Sequence, residues 1–209
     1  MDAEISKTEQ GLRLGEAYFL TEDVPRLARE LLGKVLVTFL GGERTAVMIT
    51  ETEAYEGPVD RASHAYGHRR TRRTGTMYLP GGCAYVYLCY GMHHLFNVVS
   101  APAGVPHAVL IRAGEPLEGL SLMLKRRKMD KIEKRLTAGP GSLSRALGIT
   151  TALDAEKLGG PKIWIEDRGI RFPDKEIAAG PRIGVDYAGE HALWPYRFYL
   201  KKSKWVSKR

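Results

Sequence analysis

Cysteine is nearly absent: Cys83 and Cys89 are the only two in 209 residues, strand-like sequence separates them, and no CxxC pair occurs. Neither a disulfide framework nor a cysteine zinc site is indicated. Long apolar runs are missing as well. No window approaches the ~18 consecutive apolar residues of a membrane-spanning helix, and Met1-Asp2-Ala3-Glu4 lacks the basic-then-apolar layout of a secretory signal. A cytoplasmic protein with no membrane partner is expected. There is no GxGxxG, GxxxxGK[ST] or GxSxG, so a nucleotide cofactor or a serine nucleophile finds no support. His64, His93 and His94 lack the spacing of a metal set, since adjacent histidines on a strand point to opposite faces. No cofactor and no metal are expected.

What the chain has in excess is positive charge. Its 32 Lys+Arg against 24 Asp+Glu give a net charge of +8 and a pI near 9.5, which favours a polyanionic partner. The cations cluster in His68-Arg69-Arg70-Thr71-Arg72-Arg73, in Lys125-Arg126-Arg127-Lys128 and in the tail from Lys201 to Arg209. Such clusters can follow a phosphate backbone and release its counterions, although any one of them alone reads as a solvated loop or terminus.

A hydrophobic content of 44% is enough to bury a core, and the chain shows no repeats or internal linker. Residues 1–16 are expected to form a flexible N-terminal segment, with one domain over 17–209. Thr21-Glu22-Asp23-Val24-Pro25 introduces a short helix carrying Leu27, Ala28, Leu31 and Leu32 and stopped by Gly33. Val35–Leu40 and Thr45–Tyr55, joined by Gly41-Gly42-Glu43-Arg44, read as a hairpin. An irregular segment from Val59 to about Pro80 follows. Next come a tyrosine-rich strand, a turn at Gly91-Met92-His93-His94 and a return strand, Leu95–Ser100. His107–Arg112 reads as a strand and Pro116 as the start of a helix through Leu117, Leu120, Leu122 and Met123. Segments at 163–166, 170–172, 183–186 and 197–200 read as further strands. These patterns predict an α+β fold: a mainly antiparallel, curved sheet with surrounding helices and a protruding β-hairpin.

The stretch from Glu51 to Asn97 concentrates the chemistry. A period of two places Val47, Ile49, Glu51, Glu53 and Tyr55 on one strand face. Two carboxylates on an otherwise apolar face suggest a partly desolvated acid that could serve as a general base, or else an ion-pair partner for Arg61 or Arg112. Alternation puts Tyr85 and Tyr87 on one face and Tyr90 on the other, at a hairpin tip beside Met92. Tyrosines in strands are usually core residues, but Tyr90 at a tip suits a wedge between bases, and Tyr87 suits stacking on an extracted base. Gly139-Pro140-Gly141-Ser142 makes a glycine-rich helix entrance whose free N–H groups could hold a phosphate.

Taken together, Glu51-Thr52-Glu53-Ala54-Tyr55, Gly57-Pro58 with His64, Tyr85-Val86-Tyr87 with Tyr90-Gly91-Met92 and Asn97, and Leu110-Ile111-Arg112-Ala113 resemble the alkyladenine (3-methyladenine) DNA glycosylase family. So do Glu115–Gly119, Gly139-Pro140, Pro181–Val185 and Arg197-Phe198-Tyr199. The resemblance runs from about Ala17 to Ser207. It implies an enzyme that flips a damaged purine out of double-stranded DNA and hydrolyses its N-glycosidic bond with water, as a monomer and without a cofactor. It places the general base on Glu53 and a water-holding arginine on Arg112. Tyr55, His64 and Tyr87 fall on the base pocket, and Asn97 on the residue that excludes guanine. Tyr90, with Met92, falls on the intercalating tip. The backbone contacts are expected from Arg69, Arg72, Arg73, Gly139 and Ser142. Without an activated lysine or terminal amine, a monofunctional enzyme is expected, nucleoid-associated when bound to DNA. On strand geometry alone Glu51 is a rival base. A non-catalytic binder of distorted nucleic acid, or a hydrolase of free nucleosides, are the competing functions. The first would not need Glu53, and the second would have little use for the basic clusters.

Overall fold

Gly41 and Gly42 fold β2 (Val35–Leu40) back onto β3 (Glu43–Glu56), with Leu40 opposite Glu43. Both glycines have positive φ, the backbone state that a two-residue hairpin turn demands. The computed structural model describes residues 11–208 of the chain, and in it β3 is the central strand. Along one edge it pairs first with β2 and then with β9 (Arg197–Leu200); along the other it pairs with β6 (His107–Glu118). β5 (His93–Ser100) adds to β6, and β4 (Ala84–Cys89) to β5. β7 (Ile163–Asp167) adds to β2, β1 (Leu12–Arg13) to β7, and β8 (Ile177–Gly180) to β9. The result is a curved, unclosed antiparallel sheet of nine strands among the described residues, with helices around it, the expected α+β architecture.

Helix α1 (Val24–Glu30) opens where expected. The Asp23 carboxylate accepts from the Arg26 amide at 3.0 Å, Pro25 sits in the first turn, and Val24, Leu27 and Ala28 are buried. α2 (Leu120–Arg127) and α3 (Pro140–Leu147) pack on one another and on the sheet. Most buried apolar residues form one core, and a smaller cluster of Ala65, Met77, Cys83, Tyr85, Val99 and Ala108 lies apart from it. No described helix is long and apolar enough to cross a membrane.

Several expectations are corrected. Pro116 does not begin a helix: β6 continues to Glu118, and Pro116 lies opposite Val47 next to a register shift, where its missing N–H is tolerated. The helix starts after Gly119, whose φ of 72° turns the chain. A Cβ at that position would lie 2.4 Å from the Arg44 carbonyl oxygen. Residues 170–172 and 183–186 are not strands, while β1 and β8 were not foreseen. The second hairpin turns at Tyr90-Gly91-Met92, and β5 already begins at His93. Of the segment expected to be flexible, residues 1–10 lie outside the described residues. Leu12 and Arg13 pair with β7 and Leu14 is buried, so this part is attached to the sheet.

Candidate active site

The alternation expected along β3 breaks at the site itself. Ile49 lies opposite Gly114, Glu51 opposite Ala113 and Thr52 opposite Ile111, with register shifts on both sides of Glu51. Thr50 on β3 and Arg112 on β6 are left outside the pairing, the mark of bulges, which re-aim side chains. Val47 and Ile49 therefore join the apolar core, while Glu51, Glu53 and Arg112 face each other. The Arg112 guanidinium bridges both acids, with Nε 3.3 Å from Glu51 Oε1 and Nη1 3.2 Å from Glu53 Oε2. Its carbonyl accepts from the Gly139 amide at 3.1 Å, so the entrance of α3 is tied to the same point of the strand. Burial works against the charge on Arg112, but the Glu53 and Glu51 carboxylates outweigh it and hold the guanidinium above its ordinary range.

Both glutamates are 0% exposed, and their partners distinguish them. Glu51 Oε1 accepts from Arg197 Nε at 2.7 Å and the Ser207 hydroxyl at 2.9 Å, and Oε2 from the Ser207 amide at 2.6 Å. It is enclosed by charge partners and the C-terminal segment. Glu53 Oε2 accepts from the Tyr55 hydroxyl at 2.8 Å, and Oε1 from the Ile183 amide at 2.8 Å. Tyr55, Ile183 and Arg112 all line one cavity of about 420 Å³, within the usual range for small-molecule sites. The donors of Glu53 form the cavity wall; Glu51 lies behind Arg112.

The same cavity is lined by His64, Arg73, Tyr85, Tyr87, Asn97 and Tyr187, among others. The rings of His64 and Tyr87 meet edge to face at 4.7 Å between centroids, and those of Tyr85 and Tyr87 are tilted at 5.3 Å. Asn97 is buried with its amide donating to the Tyr85 carbonyl at 3.1 Å. Burial, then Arg73 and Arg69, push the His64 imidazole down to about 4 from 6.5, so it is neutral near pH 7. Arg73 Nη2 donates to its Nε2 at 3.3 Å, which leaves the proton on Nδ1, 3.0 Å from the Tyr85 hydroxyl oxygen. Burial, and after it the Glu53 charge, hold the Tyr55 phenol well above its ordinary range, so it stays a donor to Glu53.

At the rim, Tyr90 is 89% and Met92 69% exposed, at the tip of the hairpin formed by β4 and β5. Tyr90 (φ 50°) and Gly91 (φ 69°) both adopt the left-handed backbone of this tight turn. The expected backbone-binding arginines Arg69, Arg72 and Arg73 are all exposed, and the Arg73 guanidinium also lies 4.5 Å from the Tyr87 ring centroid at the cavity. Gly139 and Ser142 stand at the start of α3, where the Ser142 hydroxyl accepts from Arg127 at 3.0 Å. His93 lies against Gly141, and His94 Nδ1 accepts from the Thr151 amide at 3.2 Å, so neither joins His64.

Sequence reasoning missed Ile183, Arg182, Asp60 and Ser207. Arg182 and Asp60 form an ion pair whose side chains are both 0% exposed. Arg182 also donates to the Ala54 carbonyl at 2.8 Å and lies over the Tyr55 ring at 4.8 Å, so it braces the site from behind. A buried pair of an acid in the irregular segment after β3 and an arginine beside Ile183, 122 positions apart, has no local spacing signal. Ile183 acts through its backbone and has no side-chain signal at all.

Comparison with known proteins gives a consistent result. The family model for methylpurine-DNA glycosylase (MPG) matches residues 18–204. A Chlamydia abortus protein provisionally named a 3-methyladenine DNA glycosylase is 50% identical over 188 residues, covering 90% of this chain and 97% of its own. Proteins with the same provisional name from Chlamydia pneumoniae and Bacillus cytotoxicus are 49% and 45% identical, covering 90% and 91% of this chain and 94% and 97% of theirs.

Proposed function

Because the chain belongs to the methylpurine-DNA glycosylase family, we propose that it is a repair glycosylase that flips alkylated or deaminated purines from double-stranded DNA into the cavity beside Glu53. There it hydrolyses the N-glycosidic bond. The observation that carries this reading is the buried Glu53 carboxylate, held by three donors, Tyr55, Ile183 and Arg112, that themselves line the aromatic cavity. A water in the cavity, hydrogen-bonded to Glu53, loses a proton to it as the water oxygen attacks C1′. The bond to the base nitrogen breaks, the electron pair leaves with the base, and an abasic sugar remains. The carboxylate also favours the cationic sugar of the transition state.

The rings of Tyr55, Tyr87 and His64 suit a flipped purine, and a base alkylated at N3 or N7 carries positive charge that aromatic faces attract. Damaged or mispaired bases cost less to unstack, which adds selectivity before the cavity is entered. In this reading Asn97 screens the purine edge, Tyr90 and Met92 fill the gap in the duplex, and Arg69, Arg72, Arg73 and the Gly139–Ser142 entrance meet phosphates. None of the described residues that line the cavity is a lysine, which supports a monofunctional enzyme that leaves the strand intact.

Single-turnover base release from duplexes carrying one hypoxanthine, and from methylated DNA, tests the reading in the wild type and in Glu53→Gln. Release by the wild type, lost in the variant while duplex binding survives, is the expected result. Binding without release by the wild type would instead favour a non-catalytic binder of distorted DNA.

A further inference from the structure

Glu51 is as fully buried as Glu53, and its partners come from three separate parts of the chain. Arg112 reaches it from β6, Arg197 from β9, and Ser207 from the segment that follows β9. That last segment is itself seated. Trp205 and Val206 are buried, the Trp205 carbonyl accepts from the Thr50 hydroxyl at 2.5 Å, and Arg197 donates to the Lys208 carbonyl. The Ser207 hydroxyl stands 3.4 Å from Arg112 Nη2 as well as 2.9 Å from Glu51 Oε1. The guanidinium of Arg112 is thus held on its far side by Glu51 and Ser207, and only Nη1 is directed at Glu53.

We propose that Glu51 and Ser207 are positioning residues of this site: together they hold Arg112 from behind so that its remaining arm orients the Glu53 carboxylate and shares its charge between two acids. The proposal rests on the reading of Glu53 as general base. Arg112 is shared between two carboxylates. A neutral side chain in place of Glu51 leaves Arg112 with one carboxylate and frees it to turn, so the Glu53 carboxylate loses the orientation that the attacking water needs.

The test is single-turnover hypoxanthine release by the full chain as wild type, Glu51→Gln, Glu51→Asp, Ser207→Ala and Glu53→Gln, with duplex binding and thermal unfolding measured for each. The expected result for Glu51→Gln is a plateau rate lower by about 10- to 100-fold with duplex affinity within about twofold of wild type. Glu51→Asp, which keeps the carboxylate, should recover most of that rate. Ser207→Ala, which keeps the amide bond to Glu51, should show a smaller loss of rate. A purely structural role would lower stability and duplex binding together with the rate. If folded Ser207→Ala matches the wild type in plateau rate, and Glu51→Gln either matches it too or merely unfolds, the proposal is overturned. If Glu53→Gln still releases base at the wild-type rate, the reading beneath it fails instead.

Discussion

The amide of Ile183 donates to Oε1 of Glu53 at 2.8 Å across 130 positions of sequence. The orientation of the carboxylate therefore depends on a loop that is not a neighbouring strand. Its neighbour Arg182 secures that loop through Asp60, the Ala54 carbonyl and the His191 carbonyl, while lying over the rings of Tyr55 and Tyr196.

Arg182→Leu leaves Asp60 buried without its partner, and removing one member of a buried ion pair costs about 3–5 kcal/mol. Urea unfolding should show a loss of that size, with base release reduced in the fraction that remains folded. Asp60→Asn combined with Arg182→Leu should recover part of the stability. A loss below about 1 kcal/mol in Arg182→Leu would show that the loop is held by other contacts.

His64 makes stability depend on pH in a definite direction. Its ordinary value is 6.5 and the fold lowers it to about 4. Between those values the unfolded chain binds the extra proton, so stability falls as pH falls through this window and is unaffected by His64 above it. His64→Gln should flatten that part of the profile, measured as denaturation midpoints from about pH 7.5 down to about pH 4.5. Parallel profiles for the two proteins would contradict the assignment of His64 as a buried neutral ring.

Tyr90 and Met92 are exposed at the hairpin tip, so truncating them to Ala should change unfolding free energy by no more than about 0.5 kcal/mol. Binding to a lesion-bearing duplex should weaken by about 1–3 kcal/mol for Tyr90→Ala, the scale of an aromatic stack on a base. Equal affinity of the variant and the wild type would remove Tyr90 from the interface.

The parts of this architecture that were legible in the sequence are those written in local patterns. Gly41-Gly42 marks its hairpin because only a positive φ closes that turn, and Glu51 and Glu53 stand out because acids interrupt an apolar strand. The Tyr85–Tyr87 alternation puts both rings beside the cavity, as period two requires. What was hidden depends on pairing between distant segments. Pro116 looks like a helix start until β3 lies beside it, and a bulge that leaves Thr50 and Arg112 unpaired is a property of two strands together. Ile183 was read as the start of a strand, yet it contributes a single N–H. Ser207 sits in a basic tail that reads as a frayed terminus, and its partners Arg112 and Glu51 lie 95 and 156 positions away. Arg73 was grouped with its basic neighbours, but its guanidinium also lies over the ring of Tyr87 at the cavity lining.

The acids and guanidiniums behind the cavity cancel: Glu51, Glu53 and Asp60 stand against Arg112, Arg182 and Arg197. The whole surplus of +8 is therefore carried elsewhere on the molecule. Ionic strength acts strongly on exposed charges and little on buried pairs. On the proposed function, capture of a polyanion and the chemistry inside the cavity fall under separate control: added salt would loosen the grip on the duplex, while the bond-breaking step, once a base is seated, would proceed at a pace that the bathing electrolyte barely touches.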